Sequence, residues 1–241
     1  MTRSHISIVN LVYLAIMTIA TSASAQTSEL NLLGEFSSDW KKSWIERKIS
    51  EKPTLYEVVE QDTNKVLRAS SINESSALWH SLELYPGRIG TISWKWKVDK
   101  LLSDDINEKS KKGDDYAARV IVVFEPHLVS WKTRAICYVW AAKEPVGTIF
   151  RNPYAQSVAM VVVQSGKENK GKWLSEERNF VSDYRKAFDG HPEMVSAVAI
   201  MVDTDNTNHE AVTWFDDIKI MVSDASEEKT DEQPRGIILN N

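Results

Sequence analysis

The chain has 241 residues, 29 of them basic and 34 acidic, for a formal net charge of −5, and 42% of it is hydrophobic. A mildly acidic chain without basic blocks lacks the footprint of a nucleic-acid or anionic-membrane binder. A single cysteine, Cys137, excludes an internal disulfide framework, so an ordinary core must hold the fold, and this length suits one sizeable β domain.

The N-terminus reads as an address. Arg3 precedes a largely apolar stretch from Ile6 to Ala20, and Ala23-Ser24-Ala25 follows in a small-x-small pattern. This predicts a signal peptide over residues 1–25, cut before Gln26. The apolar stretch is shorter than the ~20 residues that cross a bilayer, so no stable membrane anchor is expected. The mature protein is expected to be periplasmic or secreted.

Strand signals dominate the rest. In "TISWKWKV", Ile92, Trp94, Trp96 and Val98 alternate with polar residues, which predicts a strand with one dry and one wet face. Residues 99–115 form a long polar excursion. The runs "ARVIVVFEP", "RAICYVWAA", "SVAMVVVQSG" and "AVAIMVDTD" follow, separated by turn residues such as Glu144-Pro145 and Ser165-Gly166. Residues 147–156 are a second irregular crossing. The stretches 120–124, 158–163 and 197–202 are apolar at consecutive positions, which implies burial on both faces. A parallel α/β sheet would share that pattern, but only "SEERNFVSDYRKAF" offers a helix, with Phe180, Tyr184 and Phe188 as its stripe. The expected fold is therefore all-β: an antiparallel jelly-roll β-sandwich with one short helix, a single domain over residues 26–222. Residues 223–241 are acidic and turn-rich and predict a disordered tail.

The final strand poses a question. If Val212, Trp214, Ile218 and Ile220 face the core, Asp216 faces it too. An inward carboxylate needs several hydrogen bonds, an arginine or a cation. A bulge at Asp216-Asp217 would instead turn both outward. The favoured expectation is an inward Asp216 that ties the last strand to the first.

"ELNLLGEFSSDWKKSW" and the much later "WFDDIKI" resemble the opening and closing strands of galactose-binding-type jelly rolls. That resemblance implies that the two ends meet and hold a structural calcium through Gly34, Glu35 and Asp216. It departs at Ser37, where the group places a ligating Glu. "GDDYAARV", "YVWA", "NPY", "QSG", "ERN…DYRKAF" and "DTDNT", in this order, resemble the bacterial domain-of-unknown-function family 3047. That match implies a secreted β-sandwich and no stated activity.

Asp114, Asp115 and Arg119 stand at the head of one strand, and Asp115 and Arg119 share a face. They would either hydrogen-bond sugar hydroxyls or close the long excursion as an ion pair. Asn152 and Tyr154 in the second crossing, and Asp203, Asp205 and Asn206 in "DTDNT", complete the candidate ligand-binding set. Nine tryptophans supply either a core or a stacking platform for sugars. Nucleophile elbows, metalloprotease motifs and phosphate loops are absent from the sequence. The expected function is non-catalytic binding of a carbohydrate or envelope glycan. Two alternatives stay open: a glycan hydrolase or lyase with paired carboxylates, and a structural envelope protein that binds another protein.

Overall fold

The structure is a computed structural model that describes residues 28–36, 39–61, 64–124 and 133–223. The expected signal peptide and all of the acidic tail but Ser223 lie outside the described residues. Two sheets pack face to face. Sheet I has the order β11 (Leu174–Asn179), β6 (Ile89–Lys100), β13 (Glu210–Ser223), β4 (Asn64–Ile72), β3 (Leu55–Gln61), with β1 (Ser28–Leu32) also paired to β13. Sheet II has the order β2 (Ile45–Lys48), β5 (Ser75–Leu84), β12 (Val195–Asp203), β7 (Tyr116–Phe124), β8 (Ala135–Ala141), β10 (Val158–Ser165), β9 (Ile149–Arg151). This is the expected jelly-roll sandwich, with one departure from an all-antiparallel shell: β10 runs parallel to β8. Residues 142–157 carry the chain back to the start of β8 and lay β9 on the far side of β10.

Period-two alternation places the core. β6 turns Ile92, Trp94, Trp96 and Val98 inward, all buried, and Ser93, Lys95 and Lys97 outward. Rings from the two sheets interleave: Trp94 lies 5.3 Å from Trp96 and 5.4 Å from Tyr138, and Trp96 lies 5.8 Å from Trp140. These tryptophans are core, not platform. Each such ring takes roughly 150–250 Å² out of water. The consecutive apolar runs have the cause expected of them. Sheet II is dry on both faces, because Tyr116, Cys137, Val139, Met160 and Val162 form a second cluster outside the main core, with Phe150 packed against it.

The helix is shorter than its sequence pattern. Residues 174–179 form β11 on the edge of β6, and α2 (Phe180–Phe188) begins only where Asn179 caps it, its Oδ1 accepting from Ser182 N at 2.9 Å. Phe180 and Tyr184 face inward, with Tyr184 4.8 Å from Phe124. A second helical turn, α1 (Trp40–Ser43), follows β1.

The first and last described strands meet. Ser28 to Leu32 pair with Ser223 to Lys219, and the amides of Leu33 and Gly34 donate to Ile218 O at 2.8 and 3.1 Å. A Cβ on Gly34 would come within 2.8 Å of Ile218, so only glycine lets the first strand approach so closely. The expected inward Asp216 is corrected by β13 itself. Its register shifts between Asp216 and Lys219, and Asp217 adopts a left-handed φ of 50°. That bulge makes Ala211, Thr213 and Phe215 the inward residues before it, and Ile218, Ile220 and Val222 after it. Val212 and Trp214 therefore face outward, and Asp216 with them.

Candidate functional site

The excursion after β6, the 142–157 crossing and the turn after β12 converge at one end of sheet II, on its outer face. They bring Asp114, Asp115, Arg119, Asn152, Tyr154, Asp203, Asp205 and Asn206 into one region. Asp203, the last residue of β12, receives Arg119 Nε at 2.8 Å, a second Arg119 contact from Nη2, and Tyr116 N at 3.2 Å. Arg119 Nη2 also donates to Asp114 O at 2.8 Å, and its Nη1 lies 3.7 Å from the Asp114 carboxylate. Asn152 Nδ2 closes on both Asp114 oxygens at 2.9 and 2.8 Å. Asp115 does not pair with Arg119, contrary to the same-face expectation. It is the collar of the 205–208 turn and accepts from Asn206 N and Nδ2 and from Thr207 N and Oγ1 at 2.6–3.3 Å. Tyr154 is exposed, and its hydroxyl bridges Asn206 Oδ1 and Lys111 O at 2.8 and 2.9 Å.

Glu108, a residue not singled out from the sequence, is fully buried in this region. Its carboxylate accepts from the amides of Ala142, Lys143 and Glu144 at 2.7–3.2 Å and so ties the two crossings together. The polar groups here largely satisfy one another. Burial pushes the Asp114 carboxyl up, against the pull of Arg119 and Asn152. Arg119 itself stays charged between two carboxylates.

The open concavity lies elsewhere, between edge strands β2 and β3. It is a cleft of about 750 Å³ whose walls include Trp40, Trp44, Tyr56, Thr54, Glu46 and Glu74. None of the residues picked from the sequence lines it. Each wall is fixed from behind. Trp44 Nε1 donates to Leu33 O at 2.8 Å, Tyr56 Oη to Ser76 O at 2.7 Å, and Ser76 Oγ to Glu46 Oε1 at 2.8 Å. Phe36 supports both tryptophans, with ring centroids 6.3 Å from Trp40 and 6.1 Å from Trp44. Trp40 and Trp44 stand four residues apart across α1. That spacing in "DWKKSW" was the signal that would have drawn attention to this wall.

The calcium residues suggested by the jelly-roll resemblance fall in a third place. Glu35 and Asp216 share a shallow depression of about 300 Å³ with Asp217, Asn64 and Lys65. Gly34 is pressed against Ile218 beside it. Asp217 is held by Lys95 at 2.6 Å and Lys219 at 3.7 Å, which keep its carboxyl below the usual range. The donor set here is thin: two carboxylates beyond the paired Asp217, with the Lys65 ammonium among the lining residues. On chemistry alone these residues fit a calcium ion poorly.

The fold and its paired first and last described strands define a jelly-roll β-sandwich protein. The family described as "Protein of unknown function (DUF3047)" matches residues 38–219, and the chain belongs to that family. No curated protein matches the chain in sequence. Among solved structures it is similar to the family 11 carbohydrate-binding module of the cellulosomal cellulase Lic26A-Cel5E of Clostridium thermocellum. There the identity is 12% and the TM-score 0.44, over 80% of this chain and 94% of that one. It is similar too to the xyloglucanase domain of NopAA, a type three effector from Sinorhizobium fredii, at 12% identity and TM-score 0.43 over 73% and 92%. A family 29 carbohydrate-binding module from Piromyces equi aligns at 11% identity and TM-score 0.34 over 81% and 91%.

Proposed function

We propose that this protein is an exported, non-catalytic module that binds a carbohydrate or envelope glycan in the cleft between β2 and β3. One observation carries the reading: the half-buried Trp40 stands beside an opening of about 750 Å³ whose floor includes the buried Trp44 and Tyr56, and the carboxylates Glu46 and Glu74 line it too. Sugar rings offer an apolar face to aromatic rings, and their hydroxyls donate to carboxylates. The volume lies within the ~300–1,000 Å³ of small-ligand sites. The non-catalytic part is supported by the engagement of Asp114, Asp115 and Asp203 with their neighbours, and none of these three lines the cleft.

A glycan array probed with the chain from Gln26 onward tests this, with calcium and with chelator, beside Trp40→Ala and Tyr154→Phe. Binding to a defined set of glycans is expected for the parent and for Tyr154→Phe, with loss in Trp40→Ala. Silence across a broad array overturns the reading. Turnover of any bound glycan in a reducing-end assay would overturn its non-catalytic part. The calcium expected on Glu35 and Asp216, which the thin donor set argues against, is checked by comparing Asp216→Asn with the parent in the two array conditions.

A second reading has its own observation. Ile45, Leu55 and Ile72 line the same cleft yet remain 53–61% exposed. Apolar side chains on two open strand edges suit a protein partner that adds a strand. Capture of a defined envelope protein, blocked by Leu55→Lys and indifferent to sugars, would favour it.

A further inference from the structure

The charges that line the cleft between β2 and β3 are not balanced. Glu46 stands directly across the β2–β5 ladder from Leu78, a core residue, so its side chain shares the inward face of sheet II. It points toward the gap between the sheets and stays exposed there because that edge of the sandwich is open. Its Oε1 accepts from Ser76 Oγ at 2.8 Å. Glu74 lines the same opening from the β4–β5 turn, where its backbone is pinned. Its amide donates to Thr204 Oγ1 at 3.3 Å, and its carbonyl accepts from Thr204 N at 3.0 Å and Ser71 Oγ at 2.8 Å. No ion pair among the described residues engages either glutamate.

The aromatic wall supplies an independent observation. Lys41 Nζ lies 5.4 Å from the centre of the Trp40 ring, and both residues line the cleft. The electron-rich face of an indole attracts an ammonium group, and here it already holds one from the protein itself. Lys41 is exposed and is the one cation among the lining residues, set against the two carboxylates. A neutral sugar lying over Glu46 or Glu74 would take a carboxylate out of water and return only hydroxyl donors. A sugar ammonium returns a charged donor and suits the indole face as well. An acidic sugar would meet like charge.

We propose that the cleft recognises a glycan with free amino groups, a hexosamine polymer whose nitrogens are not acetylated, through Glu46, Glu74 and the Trp40 ring. This rests on the glycan-binding reading of the cleft and narrows it to one substrate class. Acetylation of the nitrogen would remove the charge that the two carboxylates lack. Ser76 is the positioning residue. It is fully buried, its hydroxyl holds Glu46, and its carbonyl receives Tyr56 Oη at 2.7 Å. One residue of β5 thus fixes a carboxylate of the cleft and part of its aromatic floor, so neither has to be ordered when the sugar arrives.

Calorimetry with the chain from Gln26 onward tests this. The probes are oligosaccharides of equal length built from glucosamine, N-acetylglucosamine, glucose or glucuronic acid, at a pH that keeps the amines charged. The glucosamine oligomer is expected to bind about tenfold more tightly than the others, the margin of a charge-assisted over a neutral hydrogen bond. That margin is expected to shrink as salt is added. Glu46→Gln keeps an acceptor for Ser76 Oγ and removes only the charge. It and Glu74→Gln are each expected to melt like the parent and to reduce the margin, and Trp40→Ala to lose the glucosamine oligomer. Equal or tighter binding of any other oligomer overturns this inference and leaves the glycan reading standing. A margin that survives both glutamine substitutions overturns it too, as does an oligolysine of equal charge that binds as tightly, since ammonium capture would then need no sugar. Silence with all four oligomers overturns it as well, and the glycan reading falls with it only if the broad array is also silent.

Discussion

Arg119 is the residue on which the loop end of sheet II depends. The residue is 6% exposed, and its guanidinium sits between Asp203 and Asp114. Replacing it by Met removes the partner but leaves both carboxylates buried. Arg119→Met is expected to cost about 3–5 kcal/mol in urea unfolding. A loss under about 1 kcal/mol would show that these carboxylates are neutral without it. His80 makes a prediction with a pH sign. It packs 5.2 Å from Trp44 behind the cleft, its Nδ1 has no partner, and burial lowers its pKa. The unfolded chain then binds the proton first as pH falls below ~6.5. Stability from His80 is fully present above that pH and lost below it. His80→Phe is expected to flatten this part of the curve, measured as the change in unfolding free energy between pH ~7.5 and ~5.5. An unchanged slope would mean that the ring charges freely in the fold. At this scale the sequence was a partial guide. Polar residues in turns marked the convergent region, because Asp, Asn and Thr in loops between strands are conspicuous. Which carboxylate meets Arg119 depends on a register between β7 and β12, and periodicity within one strand carries no information on that.

Among the elements, β13 shows what one inserted residue does. The bulge at Asp216-Asp217 keeps Phe215 and Ile218 on the same face although they are three residues apart. Deleting Asp217 would restore strict alternation with Ile218, Ile220 and Val222 still facing inward, and would remove the bulge and the Lys95 ion pair. A cooperative melt is expected to survive that deletion, and its loss would show that the bulge itself is required. Asp217→Gly relieves the left-handed φ and loses only exposed ion pairs, so a change within about 1 kcal/mol is expected. The docking of α2 has a comparable test. A Cβ on Gly90 would come within 2.3 Å of the Phe180 ring. Gly90→Ala is expected to cost about 1–3 kcal/mol by forcing the helix off β6, and a neutral result would show that Phe180 moves freely. The alternation of β6 was fully legible, since each inward residue is large and apolar. β13 misled because Trp214 looks like core. In fact its Nε1 donates to Asp99 at 2.6 Å and Lys97 stands 4.5 Å above its ring, so the face it occupies is polar. β11 was hidden for another reason: "LSEERN" is polar on an edge strand, and its charges read as the start of a helix.

For the whole molecule, the class of fold was visible in the turn spacing and the scarcity of helix, and the doubly dry sheet II in its unbroken apolar runs. The parallel pairing of β8 and β10 was not visible, because strand direction follows from the path of the 142–157 crossing. The cleft was invisible for a related reason. Its walls come from residues 40–46, 53–56 and 70–78, which are unremarkable separately and become a surface only when β2 and β3 end up as opposed edges.

The position of β13 has a consequence for how the molecule is made. Among the described strands it is the last to leave the ribosome, yet it lies in the middle of sheet I with β6, β4 and β1 on its flanks. Until residues 210–223 arrive, those three strands have no common neighbour, and β6 lacks one of its two hydrogen-bonded partners. Sheet I cannot be completed piecemeal during synthesis, and its closure waits for contacts between the most distant parts of the chain, a slow and aggregation-exposed route. A chain stopped short of residue 210 is expected to stay bound to holding chaperones, whereas one extending through residue 223 folds as a unit. Pulse-chase protease resistance of stalled chains of increasing length would show protection arriving in one step.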